Sequence, residues 1–76
     1  MNRRQFKNYK DFDTLNSKTN YQIEYNGIKN KYIINIFYRN SVYFFEIFWN
    51  DKLIWVKELK LFSNTKKYLK KYFKNK

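Results

Sequence analysis

Between Tyr32 and Leu59 large side chains recur on both faces of a period-two pattern, and two polar pairs of turn-forming residues interrupt it, Asn40-Ser41 and Asn50-Asp51. Asn and Asp tolerate the positive φ that two-residue β-hairpin turns require. The stretch therefore reads as antiparallel strands joined by minimal turns. A third pair, Asn26-Gly27, precedes it and is the strongest hairpin signal of the three.

With two-residue loops at all three pairs, the registers follow by counting. Arg39 faces Val42, Tyr38 faces Tyr43, Ile36 faces Phe45, Ile34 faces Ile47 and Tyr32 faces Trp49. Across the next turn Trp49 faces Lys52, Ile47 faces Ile54 and Phe45 faces Val56. Before the first turn Tyr25 faces Ile28, which puts Tyr21, Ile23 and Tyr25 on one side. One apolar set is thereby gathered on one face, the core face, and a slip of one residue would scatter it. The opposite, mixed face is expected to hold Phe37, Phe44, Phe48 and Trp55 beside Lys31, Arg39 and Lys57, with Glu46 between Asn35 and Trp55.

The C-terminal end changes period. From Ser63, a candidate N-cap, Tyr68, Leu69, Tyr72 and Phe73 fall in one helical arc together with Phe62, and Lys66, Lys67, Lys70, Lys71 and Lys74 fall in the opposite arc. This predicts an amphipathic helix packed on the core face through Phe62, Leu69, Tyr72 and Phe73. In residues 1–20, Phe6, Tyr9, Phe12 and Leu15 recur every third position, which drifts around a helix without making a stripe. That segment reads as an irregular basic arm, with at most a short helical turn between Arg4 and Lys10. The expected fold is α+β: a basic arm over 1–20, then one domain over 21–76, an antiparallel meander of three to four strands followed by one C-terminal helix.

A chain of 76 residues has room for one domain and buries only about 60% of its unfolded surface. It has no Cys and no His, so disulfides are excluded, zinc is not expected and the usual catalytic bases and nucleophile pairs are missing. Ser17, Ser41 and Ser63 have no base in view, and the six acids are scattered, the nearest pair being Asp11 and Asp13. No enzyme activity, cofactor or metal is expected. No apolar run reaches the roughly 18 to 20 residues needed to cross a bilayer, and no apolar stretch follows the basic start as in a secretory signal. The expected setting is the cytoplasm.

Seventeen Lys and Arg against six Asp and Glu leave a net charge of +11. Five helix lysines fall within nine residues with no acid among them, so the helix repels itself and a polyanionic partner relieves the repulsion. The first functional reading is a non-catalytic protein that binds DNA or RNA. Its phosphate contacts would be Arg3, Arg4, Lys66, Lys67, Lys70, Lys71 and Lys74, and its base or groove contacts Phe37, Phe44, Trp55, Arg39 and Lys57, with Lys31 beside them. The alternative is an accessory or inhibitory subunit that docks on a larger protein, such as a nucleic-acid enzyme of a mobile element or host, through Phe37, Phe44, Phe48 and Trp55. The same face could pair two copies, or be covered by the arm through Phe6, Tyr9 and Phe12.

Overall fold

The structure, a computed structural model, describes residues 2–16, 20–27 and 29–74. Ile28, Ser17 and Lys18 therefore lie outside the described residues. Five strands form one sheet in the order β1-β2-β3-β4-β5, with β1 Asn2–Phe6, β2 Tyr21–Asn26, β3 Lys31–Arg39, β4 Val42–Trp49 and β5 Lys52–Leu59. A 3-10 helix, Tyr9–Thr14, lies between β1 and β2, and α1, Phe62–Phe73, ends the fold. The class is α+β, with five strands where three to four are expected from the sequence.

The two central turns, and the whole β3–β4 register, follow the counting. Asn40, Ser41, Asn50 and Asp51 all have positive φ, and β3 pairs with β4 from Arg39↔Val42 to Tyr32↔Trp49 as expected. Ile34, Ile36, Phe45 and Ile47 are fully buried on the core face.

The β2–β3 register differs from expectation. Tyr25 pairs with Tyr32, Ile23 with Ile34 and Tyr21 with Ile36. A two-residue Asn26-Gly27 turn would have set Ile23 against Asn30. The observed pairing replaces that polar neighbour by Ile34, and the burial gained outweighs the local preference of one dipeptide. Gly27 has no positive φ, and its N–H donates to the Asn30 carbonyl at 2.9 Å across a longer loop. Both registers have the same parity, so Tyr21, Ile23 and Tyr25 are buried on the core face as expected.

The β4–β5 register also changes. It starts at Trp49↔Lys52 and Phe48↔Leu53 but resumes at Ile47↔Trp55, with Ile54 left over as a bulge. One extra residue exchanges the two faces of everything that follows it. Trp55, Lys57 and Leu59 turn to the core side, opposite Ile47, Phe45 and Tyr43, and Val56 and Glu58 turn to the mixed side. Trp55 packs edge-on against Phe45 at 5.5 Å, and its ring lies tilted against that of Tyr72 at 4.8 Å. Without the bulge Ile54, Val56 and Glu58 would occupy this side, and Glu58 would bring a carboxylate beside Tyr43.

The N-terminal segment is ordered rather than irregular. β1 pairs parallel to β2, from Asn2↔Tyr21 to Phe6↔Tyr25, and parallel neighbours need a crossover. The 3-10 helix supplies it. Asn8 and Asp11 close its first turn: the Asn8 Oδ1 accepts from the Lys10 N–H at 2.9 Å, and Asp11 Oδ2 accepts from the N–H groups of Lys7 and Asn8 at 3.0 and 3.1 Å. Its Phe12 is fully buried, stacked between Tyr25 at 5.9 Å and Phe73 at 5.5 Å, with Phe6 edge-on at 5.2 Å. The first segment therefore covers the core face beside α1, and none of its described residues covers the mixed face.

The helix begins one residue before Ser63, and Ser63 is not its N-cap. The Leu61 carbonyl accepts from the N–H groups of Asn64 and Thr65, both at 3.2 Å, and no side chain caps the end. Phe62 is drawn into the first turn, where its ring meets Tyr43 at 5.2 Å. Leu69 and Phe73 are fully buried, and the Tyr25 hydroxyl donates to the Phe73 carbonyl at 3.3 Å. The 3-10 helix and α1 together cover one face of the sheet, and no described element lies over the other. Among the described residues, no helix is long and apolar enough to cross a membrane.

Candidate nucleic-acid interface

Helix α1 turns its apolar arc to the sheet, so its lysines emerge on the other sides, and they divide into two groups. Lys66 and Lys70 point toward the 3-10 helix. Lys66 Nζ donates to the carbonyls of Asp13 at 2.9 Å and Leu15 at 3.4 Å, and Lys70 Nζ pairs with Asp13 Oδ2 at 2.9 Å. These two fasten the two cover elements together. Lys67, Lys71 and Lys74 are exposed and bind none of the described residues. Lys67 and Lys71 share a shallow cleft with Asn64, Tyr68 and Leu59. Tyr68 stands 39% exposed in it, and Lys57 Nζ lies 4.7 Å from its ring centroid, a cation–π contact supplied by β5.

Asp13 responds to its clamp. The hydrogen bond from Lys70 holds its carboxyl below the ordinary 3.8, desolvation pulls the other way, and the charges of Lys70 and Lys66 add to the lowering. A carboxyl lowered in the folded state contributes its stability in full above its unfolded pKa, and loses it as pH falls through the folded value. Thermal melts are therefore expected to be level above about pH 5 and to decline in acid. The slope is shallow, because Asp13 is more than half exposed. Asp13→Asn should flatten part of that acid limb. A limb unchanged from the parent protein would show that the clamp is not coupled to folding.

The other residues singled out from the sequence lie elsewhere. Arg4 is on the core side of β1, with Nη2 3.0 Å from Thr14 Oγ1 and its guanidinium 5.2 Å from the Phe6 ring centroid, so it braces the end of the 3-10 helix. Arg3 and Lys31 are on the mixed face, both paired with Glu24, at 3.5 and 3.0 Å. Lys31 holds the Glu24 carboxyl below its ordinary 4.5 by hydrogen bonding. Phe37, Phe44 and Phe48 are half-buried on the mixed face, where Arg39 is exposed at the strand end. Trp55 and Lys57, expected there, are on the helix side because of the bulge. Their places, opposite Glu46 and Phe44, are taken by Val56, 49% exposed, and Glu58, while Leu53, 47% exposed, stays on the mixed face as counted. Glu46 therefore lies between Asn35 and Val56 and has no Trp55 or Lys57 beside it.

The two sides of the molecule consequently differ in charge. The strand positions of the mixed face carry Arg3, Lys31 and Arg39 against Glu24, Glu46 and Glu58, a balanced set. The helix side carries Arg4, Lys10, Lys52, Lys57 and the five α1 lysines against Asp11 and Asp13. Of those acids, Asp11 caps the 3-10 helix and Asp13 neutralises Lys70. Sequence reasoning missed the Tyr68–Lys57 pairing. The two lie eleven positions apart, and only the bulge turns Lys57 toward the helix. Comparison with known protein families, curated proteins and solved structures finds no match.

Proposed function

We propose that the protein binds nucleic acid without catalysing a reaction, through the outer face of α1. The observation that carries this reading is the segregation of charge: the balanced sheet face leaves the cationic excess on the helix side. Lys67, Lys71 and Lys74, with no acid among them, present point charges suited to a phosphate backbone. Tyr68, exposed between Lys67 and Lys71 with Lys57 over its ring, offers an aromatic surface on which an unpaired base can stack. This moves the contact surface from the sheet aromatics to the helix. The neutral sheet face has no role in it.

The test is retention of duplex and single-stranded oligonucleotides as salt is varied. With the three outward lysines each neutralising a phosphate, the log–log slope on duplex DNA should be at least as steep as about −2.7, from about −0.9 per contact. If neither DNA nor RNA is retained in a salt-dependent way at low ionic strength, the reading is withdrawn.

A further inference from the structure

We infer that the open sheet face is the contact surface for a second copy of this chain, related by a two-fold axis that runs across the strands above the Phe37–Phe44 pair. This does not depend on nucleic-acid binding.

The face is large enough. Five strands about 4.8 Å apart, in which β4 and β5 have eight residues each, give a projected area of roughly 600 Å². That is the scale of the roughly 800 Å² contributed by each partner in a standard interface. Near its middle Phe37, Phe44 and Val56 line one shallow depression together with Arg39 and Glu46.

Charge selects the occupant and the register. The balanced strand positions of this face let two copies approach without net repulsion, and the lysine sides then point away from each other. Glu46 and Arg39 make no ion pair with any described residue. A carboxylate covered by an apolar partner would be strongly destabilising, so the partner must bring a cation to Glu46.

Along the strands, Arg39 lies one row to one side of the Phe37–Phe44 pair and the Asn35–Glu46 pair lies one row to the other. A two-fold axis over Phe37–Phe44 carries the partner's Arg39 onto the Asn35 position. That is one strand spacing, about 4.8 Å, from Glu46 and within reach of a guanidinium. The symmetry makes the contact twice. Moving the axis one row, to Asn35–Glu46, would set Glu46 against Glu46 and Arg39 against Lys31, both repulsive. The first register joins Arg39 to Glu46 twice and stacks Phe37 and Phe44 on their own copies. It also sets Glu58, which lies beside Phe44 on the edge strand β5, against its own copy, a single exposed like-charge meeting against the three repulsive ones of the other register.

Sedimentation equilibrium of the full chain, free of nucleic acid, should give the mass of a dimer that dissociates on dilution. Arg39→Glu and Glu46→Arg should each weaken the dimer by about tenfold or more, and the double exchange should restore it to within a few-fold. Circular dichroism melts of the single variants check that each still folds. A monomer at every concentration overturns the inference, as does a double exchange no tighter than the single variants. Oligonucleotide retention is read separately, so a dimer that ignores DNA and RNA, or a monomer that binds them, tells the two proposals apart.

Discussion

Phe12→Ala is expected to remove most of the stability of this protein. The ring is fully buried, in contact with Phe6, Tyr25 and Phe73, and truncating such a Phe costs about 3–5 kcal/mol. A chain of 76 residues has about 4–11 kcal/mol in total, at roughly 0.05–0.15 kcal/mol per residue. The melting temperature should fall by at least about 12 °C, since each kcal/mol is worth roughly 4–8 °C in a domain this size. The effect is large because Phe12 joins three parts of the fold: β1 through Phe6, β2 through Tyr25 and α1 through Phe73. Had the first twenty residues been a solvated arm, the same substitution would cost less than about 0.5 kcal/mol. A urea midpoint like that of the parent chain would therefore show that the 3-10 helix is not part of the cooperative core.

The second large effect concerns binding. Changing Lys67, Lys71 and Lys74 together to Gln keeps side-chain length and helix propensity while removing three charges. If each had released one condensed cation, the log–log salt slope on duplex DNA should flatten by about 2.7. The affinity at about 0.1 M salt should drop by about 10² to 10³-fold, close to eightfold per lost contact. Lys66→Gln with Lys70→Gln is the informative comparison. Those two ammonium groups are held by Asp13 and Leu15, so this pair should chiefly loosen the 3-10 helix and lower the melting temperature. Equal losses of affinity from both sets would show that the division of the lysines into outward and clamping groups has no bearing on binding.

That division was not legible from the helical wheel. All five lysines fall in one arc by angle alone, but a wheel does not show what stands beside the helix. The 3-10 helix is there only because Phe6 and Phe12 draw the first segment onto the core. The three-residue spacing of Phe6, Tyr9, Phe12 and Leu15, read as a drift around an α-helix, reflects a strand followed by a 3-10 helix. Phe6 ends the strand, Phe12 sits within the tighter helix and Leu15 follows it, and all three are buried. The sheet-face aromatics were half legible. Phe37, Phe44 and Phe48 are where counting puts them, whereas Trp55 crosses to the core because a single bulged residue, Ile54, intervenes.

From the sequence alone one could derive whatever is encoded within a few residues. The period-two pattern sets the faces of β3 and β4, the pairs Asn40-Ser41 and Asn50-Asp51 set their turns through positive φ, and the spacing of Leu69, Tyr72 and Phe73 sets the inner side of α1. The tertiary structure alone decided the β2–β3 register, the bulge in β5, the parallel strand β1 and the direction each lysine takes. In those places the local preferences are weak or nearly degenerate. The outcome is chosen by which arrangement buries Ile34 against Ile23, Trp55 against Tyr72 and Phe12 against Phe73, contacts between residues that only the folded chain brings together.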